Sequence, residues 1–411
     1  MPSSKFDPAA PCLILAPHLV YPPRTGANLL IDRTACALSR FTPYVDVLAS
    51  DRVVRYQEGR EVACRSFENR MRSKRAAALR VLARRSHFYL EKFTTPAFRR
   101  EALTLLRESA YRTVFCSYIT TARLLTETPG LPAGRRHLIF THNDEFKWFR
   151  DLRRTTANPL GKLAAAFSER WLHTFFRRHA RDFIFLHVTE EDRKGYARHY
   201  PDHPSVVVPI GVELPPAPVP PLAPGTTKVH LLFVGSLGVK MNRDALTHFA
   251  RRYLPPLRAH FGDALGVIVA GSNPSPAVRT LCREHGWRLR PDVSNEELRR
   301  LYEQATFALL PFPYATGAKL KLLGALAHGV PFLATEAVRS QAEACVYPSL
   351  IDSDPAAWID RIEAIRHDGL SAAHRDALFA VARAHSWEAS VRHMVRALNQ
   401  PPTFTSRKSL S

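Results

Sequence analysis

The chain has 411 residues, 45% hydrophobic and 10% aromatic, with no low-complexity tract or repeat, so it has the composition of a globular protein with room for two or three domains. Lys plus Arg number 58 against 37 Asp plus Glu, a formal charge of +21, so the field attracts polyanions, nucleic acid among them, or an anionic membrane surface. No apolar run approaches the ~20 residues of a membrane span, "MPSSKFDPAAPCLILAPHLVYPP" has too short an apolar core for a signal peptide, and the six cysteines show no CxxC spacing. The sequence therefore reads as a cytoplasmic protein with reduced core cysteines, at most peripheral to a membrane.

From Cys12 the pattern runs strand, loop, helix, strand: "CLILA", "PHLVYPPRTG", an amphipathic run from Ala27 to Arg40, then "VDVL". The apolar runs "TVFC", "HLIF", "FIFLHV" and "SVVVP" follow, separated by helix-length segments. Thr189 with Asp192 opens a helix in the manner of a capping box. Positive charge concentrates in "RMRSKRAAALRVLARRSHFYLEKF" (70–93) and "RDLRRTTANPLGKLAAAFSERWLHTFFRRHAR" (150–181). The first of these reads as an amphipathic helix suited to anionic lipid, or equally as a solvated cationic face. The proline-rich segment 213–227 reads as a stiff linker.

A second alternation follows: "VHLLFV", a helix from Asp244, "LGVIVAG", a helix near Pro276, a Ser294/Glu297 capping box before "LRRLYEQA", then "FALL". Strands alternating with helices predict an α/β protein with two Rossmann-like, doubly wound parallel-sheet domains facing a central cleft. The predicted boundaries are 1–212 for an N-terminal Rossmann-like domain, 213–227 for the linker and 228–385 for a second Rossmann-like domain, followed by a helix over 386–400 and a flexible tail at 401–411.

The stretch "YATGAKLKLLGALAHGVPFLAT" (314–335) reads as turn, helix, tight turn at Gly329, and a strand over Val330 to Ala334. Thr316 is its expected N-cap, and Gly317 permits close backbone approach. Lys319 and Lys321 then fall in the first turn, where the helix already carries partial positive charge. Two cations there are unfavourable unless they bind an anion such as a diphosphate or point into water.

The order of "PPRTG", "THND", "VTEED", "VVPIGVEL", "FVGSLGVKMNRDAL" and "GAKLKLLGALAHGVPFLAT" resembles the family 4 glycosyltransferases of the GT-B fold, over roughly Cys12 to Leu398. The terminal "SWEASVRHMVRAL" also looks like that family's crossing helix, which implies that 386–400 packs back on the first domain; the resemblance further implies that 1–212 is the acceptor domain and 228–385 the nucleotide-sugar domain. The resemblance implies transfer of a sugar from a nucleotide sugar to a glycan or lipid-linked acceptor, with retention and without a catalytic metal or other cofactor. It implies surface polysaccharide or glycolipid synthesis as the setting. By resemblance Lys319 contacts the donor phosphates and acts in catalysis with His142, which lines the sugar side of the cleft. Gly26, Gly235, Lys240, Gly317 and Gly324 join Lys319 in binding the donor.

The chain departs from the family where many relatives carry two glutamates, at Thr316 and Gly324, an arginine at Ser236, and an asparagine at Ile210. These departures leave a second reading open: a catalytically inactive GT-B-like glycan-binding or scaffolding protein. Lys321, on a different helix face from Lys319, is expected in solvent. Asp144 and Glu145 read as an N-cap or solvated loop before a general base, and Asp354 with Pro355 as a helix start rather than part of a metal-binding DxD. His199 and His203 are not aligned as metal ligands, so no metal is predicted. No nucleic-acid recognition motif accompanies the positive charge.

Overall fold

A computed structural model describes residues 5–23, 26–108, 111–314, 319–342 and 345–400. It divides into two compact units, residues 1–210 with 390–411, and residues 211–389. The predicted 401–411 tail, like Thr316 and Gly317, lies outside the described residues.

The first unit contains β1 (Cys12–Leu15), α1 (Gly26–Leu38), β2 (Val45–Leu48), β3 (Arg52–Gln57), β4 (Arg60–Ser66), α2 (Lys74–Arg84), α3 (Phe88–Phe93), α4 (Pro96–Glu108), β5 (Thr113–Ser117) and α5 (Ile119–Thr126). It continues with β6 (Arg136–Thr141), α6 (Glu145–Thr155), α7 (Pro159–His179), β7 (Ile184–His187), α8 (Glu190–Ala197) and β8 (Ser205–Val207). The sheet order is β4-β3-β2-β1-β5-β6-β7-β8. All neighbours from β2 to β8 are parallel, and their core residues are buried because helices cover both faces.

The edge of this sheet differs from the predicted parallel one. β3 pairs antiparallel with both β2 and β4. The signal is local: Glu58 and Gly59 join the strands with φ 52 and 78, the left-handed pair that a two-residue hairpin needs. The basic stretch 70–93 is likewise not one helix. Arg85 turns left-handed (φ 49) at the end of α2, and Arg80 pairs with the buried Glu91 of α3 at 2.9 Å.

The second unit contains β9 (Val229–Val234), α9 (Lys240–His248), α10 (Leu254–Phe261), β10 (Leu265–Gly271), α11 (Pro276–Glu284), β11 (Arg288–Pro291), α12 (Asn295–Gln304) and β12 (Phe307–Leu310). It continues with α13 (Lys319–Ala327), β13 (Phe332–Ala334), β14 (Leu350–Ile351), α14 (Pro355–Asp368) and α15 (Ala372–Ala384). This sheet is parallel throughout, in the order β11-β10-β9-β12-β13-β14. α9 starts four residues before the predicted Asp244. Ser294 caps α12 by accepting from the Glu297 amide at 3.1 Å, as its capping box predicted.

The proline-rich segment is fastened to the second unit rather than free. Leu222 and Leu370 exchange backbone hydrogen bonds, and the Val219 amide donates to the His328 carbonyl at 2.8 Å. α16 (Trp387–Leu398) starts in the second unit, and from Ser390 onward it belongs to the first. There the Ser390 hydroxyl donates to the Pro209 carbonyl, and the Phe6 amide donates to Asn399 Oδ1 at 2.9 Å.

Candidate active site

In open parallel sheets, ligands bind beyond the strands' carboxyl ends, where the strand order reverses. In the second unit that point lies between β9 and β12. The loop after β9 holds Gly235, Ser236, Leu237 and Gly238, and the Leu237 amide donates to the Ser272 carbonyl after β10 at 2.7 Å. Asn242, buried in the first turn of α9, donates from Nδ2 to the Ser236 carbonyl at 2.7 Å. Gly271, at φ 147, ends β10 so close to Gly235 that a Cβ there would lie 1.7 Å from the Gly235 oxygen. Only glycine fits this approach, which sequence reasoning did not single out.

The lysines differ from the expectation. Lys319 begins α13, but its side chain lies outside the described residues. Lys321, expected in solvent, is half-buried: its ammonium lies 5.3 Å above the Phe312 ring, and a Cβ on Gly235 would meet its Cε at 2.9 Å. Burial pushes the Lys321 ammonium down to about 8. The reason is tertiary. Helical spacing separates Lys319 from Lys321 but does not reveal that the loop after β9 covers Lys321's side. Lys240, at the start of α9, pairs with Asp244 at 2.5 Å, and Tyr314 also donates to Asp244, at 2.6 Å.

Gly324 is in the middle of α13. Among the described residues, a Cβ there would meet only the Tyr302 hydroxyl, at 3.5 Å, while its carbonyl faces His328 Nδ1 at 2.8 Å. Packing against the described residues therefore does not require the glycine.

In the first unit the strand order reverses between β1 and β5. Gly26 begins α1 after the β1 loop. His142 follows β6, and its Nε2 lies 2.8 Å from Ser117 Oγ at the end of β5. Burial, then the neighbouring His18 imidazole, pushes His142 down to about 3.

Asp144 caps α6 by accepting from the Lys147 amide at 3.0 Å. Glu145 is not in a solvated loop. It is fully buried, and burial, outweighing an interaction with the Ile119 backbone at the start of α5, pushes it up to about 8. The sequence could not show this, because α5 and Tyr196 of α8 enclose Glu145 only in the fold. Asp354 caps α14 through the Ala356 amide at 3.0 Å. His203 is 3.0 Å from His187, and His199 is 3.2 Å from Arg150. Cys12, Cys116 and Cys282 are buried, whereas Cys64 and Cys345 are exposed, contrary to the uniform core placement expected.

Two units on mainly parallel sheets, each with a loop cluster at its switch point, share the fold of GT-B glycosyltransferase structures. Residues 228–368, about a third of the chain and wholly within the second unit, match the family model for glycosyl transferases group 1. No curated protein matches the chain. Among solved structures, the chain is similar to the lipopolysaccharide outer core galactosyltransferase WaaB in its apo form. The TM-score is 0.54 and the identity 12%, covering 93% of this chain and 98% of that one. It is also similar to a glycosyltransferase from Rickettsia africae ESF-5, with TM-score 0.53 and 10% identity over 95% and 98% of the two chains. TarM aligns with TM-score 0.50 and 13% identity over 74% of this chain. That alignment spans only 58% of TarM's own length.

Proposed function

We propose that the protein moves a sugar from a nucleotide-sugar donor to a glycan or lipid-linked acceptor, with the donor diphosphate at the second unit's switch point. The observation that carries this reading is Lys321, a lysine drawn against Gly235 and Phe312 at the carboxyl ends of β9 and β12. It lies in the first turn of a helix with no acid there. A diphosphate at this point would meet Lys321, the Ser236 and Gly238 amides of the loop after β9 and the amide end of α13. Lys319 begins the same turn and is the second candidate cation, with Lys240 freed for the role if Asp244 turns away.

In the reaction, the bond from the anomeric carbon to the leaving phosphate oxygen breaks as the acceptor hydroxyl bonds to that carbon. The hydroxyl proton passes to a donor phosphate oxygen on the same face, which gives retention. The cations and helix end take up the leaving group's negative charge, so the reading includes no catalytic metal or other cofactor. We place the work in surface polysaccharide or glycolipid synthesis at the inner face of a membrane. Supporting that location are the charge of +21 and exposed apolar side chains among the cations of α2, α6 and α7: Leu79 (59% exposed), Trp148 (47%) and Leu163 (49%). Among the described residues, no helix is long and apolar enough to cross a membrane.

The test is thermal stability of the purified chain against UDP, GDP, ADP, CMP and dTDP and their sugars, followed by turnover with the nucleotide that stabilises it. One nucleotide raising the melting temperature, with sugar released or transferred, supports the reading. No shift at millimolar concentration would favour the inactive glycan-binding or scaffolding protein, the reading motivated by the missing side chains at Gly324 and Ser236.

A further inference from the structure

The first unit buries a cation that the sugar-transfer reading does not use. Arg136 opens β6 at its amino end, and its amide donates to the carbonyl of Arg112, just ahead of β5, at 2.8 Å. In the sheet it lies beside Thr113, the first residue of β5. Arg136 is only 5% exposed. Nε and Nη1 of its guanidinium are both buried, and neither has a hydrogen-bond partner among the described residues.

No acid compensates this charge. Burial lowers the basicity of Arg136, and among the described residues no carboxylate offsets it. Asp182, which precedes β7 on the other side of β6, instead pairs with His179 at 3.0 Å. Arginine stays charged in proteins, and a buried charge without a counter-ion is destabilising. An aliphatic residue would serve core packing better, so the orphaned donors point to a missing anion.

Two further cations lead from Arg136 to the surface. Arg135 is half-buried, with Nη2 donating to the Leu106 carbonyl at 2.6 Å, and Arg112 is exposed. Burial and then the Arg112 charge lower the basicity of Arg135, so these two guanidinium groups stand near each other.

We propose that Arg136 is the floor of a second anion site, at the amino end of the first sheet, which takes the phosphate group of a phosphate monoester, with Arg112 and Arg135 at its mouth. A guanidinium edge matches a pair of phosphate oxygens, and a dianion answers more than one of the three charges. The site is separate from the transfer chemistry and goes beyond it. Arg136 starts β6 and His142 follows its other end, so about 20 Å of extended strand lies between them.

Inorganic phosphate is the probe, on the full chain carrying Lys321→Met so that the diphosphate site of the second unit is disabled. The expected result is broadening of the phosphate phosphorus NMR line by this parent protein. Adding Arg136→Met should reduce the broadening at least five-fold. Adding Arg75→Met, which removes an exposed cation of α2, should leave it unchanged and so excludes bulk charge as the cause. In phosphate-free chloride buffer Arg136→Met should melt above its parent, whereas phosphate should raise the melting temperature of the parent alone. Arg136→Lys keeps the cation and part of the broadening, and keeps the test usable if the methionine variant misfolds. No broadening by the parent, equal loss with Arg75→Met, or full broadening by folded Arg136→Met overturns the proposal.

Glycerol 3-phosphate, a monoester, should compete and sharpen the phosphate line; a line that stays broad overturns the ligand class. Flotation with phosphatidic acid vesicles that falls at least five-fold on Arg136→Met identifies a lipid headgroup as the source, and unchanged flotation a soluble ester. With Lys321 intact, Arg136→Met should leave nucleoside diphosphate binding unchanged, so this site and the transferase reading stand or fall separately.

Discussion

Replacing Lys321 with methionine, which keeps the length and removes the charge, separates the two roles of a buried cation. Without ligand, burial moves this ammonium from 10.5 to about 8. At about 1.36 kcal/mol per pKa unit, holding the charge at neutral pH costs the fold up to about 3 kcal/mol. The group's folded pKa lies below its unfolded one, so the unfolded chain binds more protons between those values and wild-type stability rises as pH climbs from about 8 to 10.5. Lys321→Met should lack that rise and be more stable at pH 7. If the second unit melts separately, the gain is up to roughly 6–12 °C for a domain of its size.

With ligand the sign inverts. Losing a charge-assisted contact to a diphosphate costs about 1.5–3 kcal/mol, or roughly 10- to 150-fold in nucleotide affinity. Calorimetric titration of the stabilising nucleoside diphosphate, with melting curves from pH 7 to 10.5, reads both effects. A variant that binds as tightly as wild type, or that melts lower at pH 7, would refute the placement of this ammonium in the anion site.

Gly271→Ala should lower stability by roughly 3 kcal/mol or more in chemical denaturation, because its Cβ would sit 1.7 Å from the Gly235 oxygen at a backbone angle that favours glycine. Gly324→Ala should raise stability by about 1 kcal/mol in the same measurement, since among the described residues its Cβ meets only the Tyr302 hydroxyl at contact distance. A loss instead would show that the glycine is needed for packing. Glu145, raised from 4.5 to about 8, favours the folded state most below pH 4.5, and that contribution disappears as pH rises to 8. Glu145→Gln should therefore gain stability relative to wild type across that window, which denaturation at pH 5 and pH 8 checks. Vesicle flotation should bring the protein up with phosphatidylglycerol-rich liposomes at low salt and release it at 0.5 M salt, while pure phosphatidylcholine vesicles rise without it. Equal flotation with both lipids would remove the electrostatic part of the membrane reading.

Strand runs such as "HLIF" and "VHLLFV", the capping boxes at Thr189 and Ser294, and the proline-rich break at 213–227 were legible because apolar period, capping chemistry and proline act within a few residues. The same locality let the sequence place His142 just after a strand, and let "KLK" mark a helix start that two cations would normally avoid. The β3–β4 hairpin was also written locally, in Glu58–Gly59. What only the tertiary structure decided is which groups are shielded from water. Lys321 and Glu145 are charged residues in the first turns of their helices, and their pKa values depend on the loop after β9 and on α5 and α8, far away in sequence. His18 and Tyr118 belong to loops 100 residues apart, brought together because β1 and β5 are neighbours in the sheet. Burial and strand adjacency are properties of long-range packing, so no window of sequence contains them.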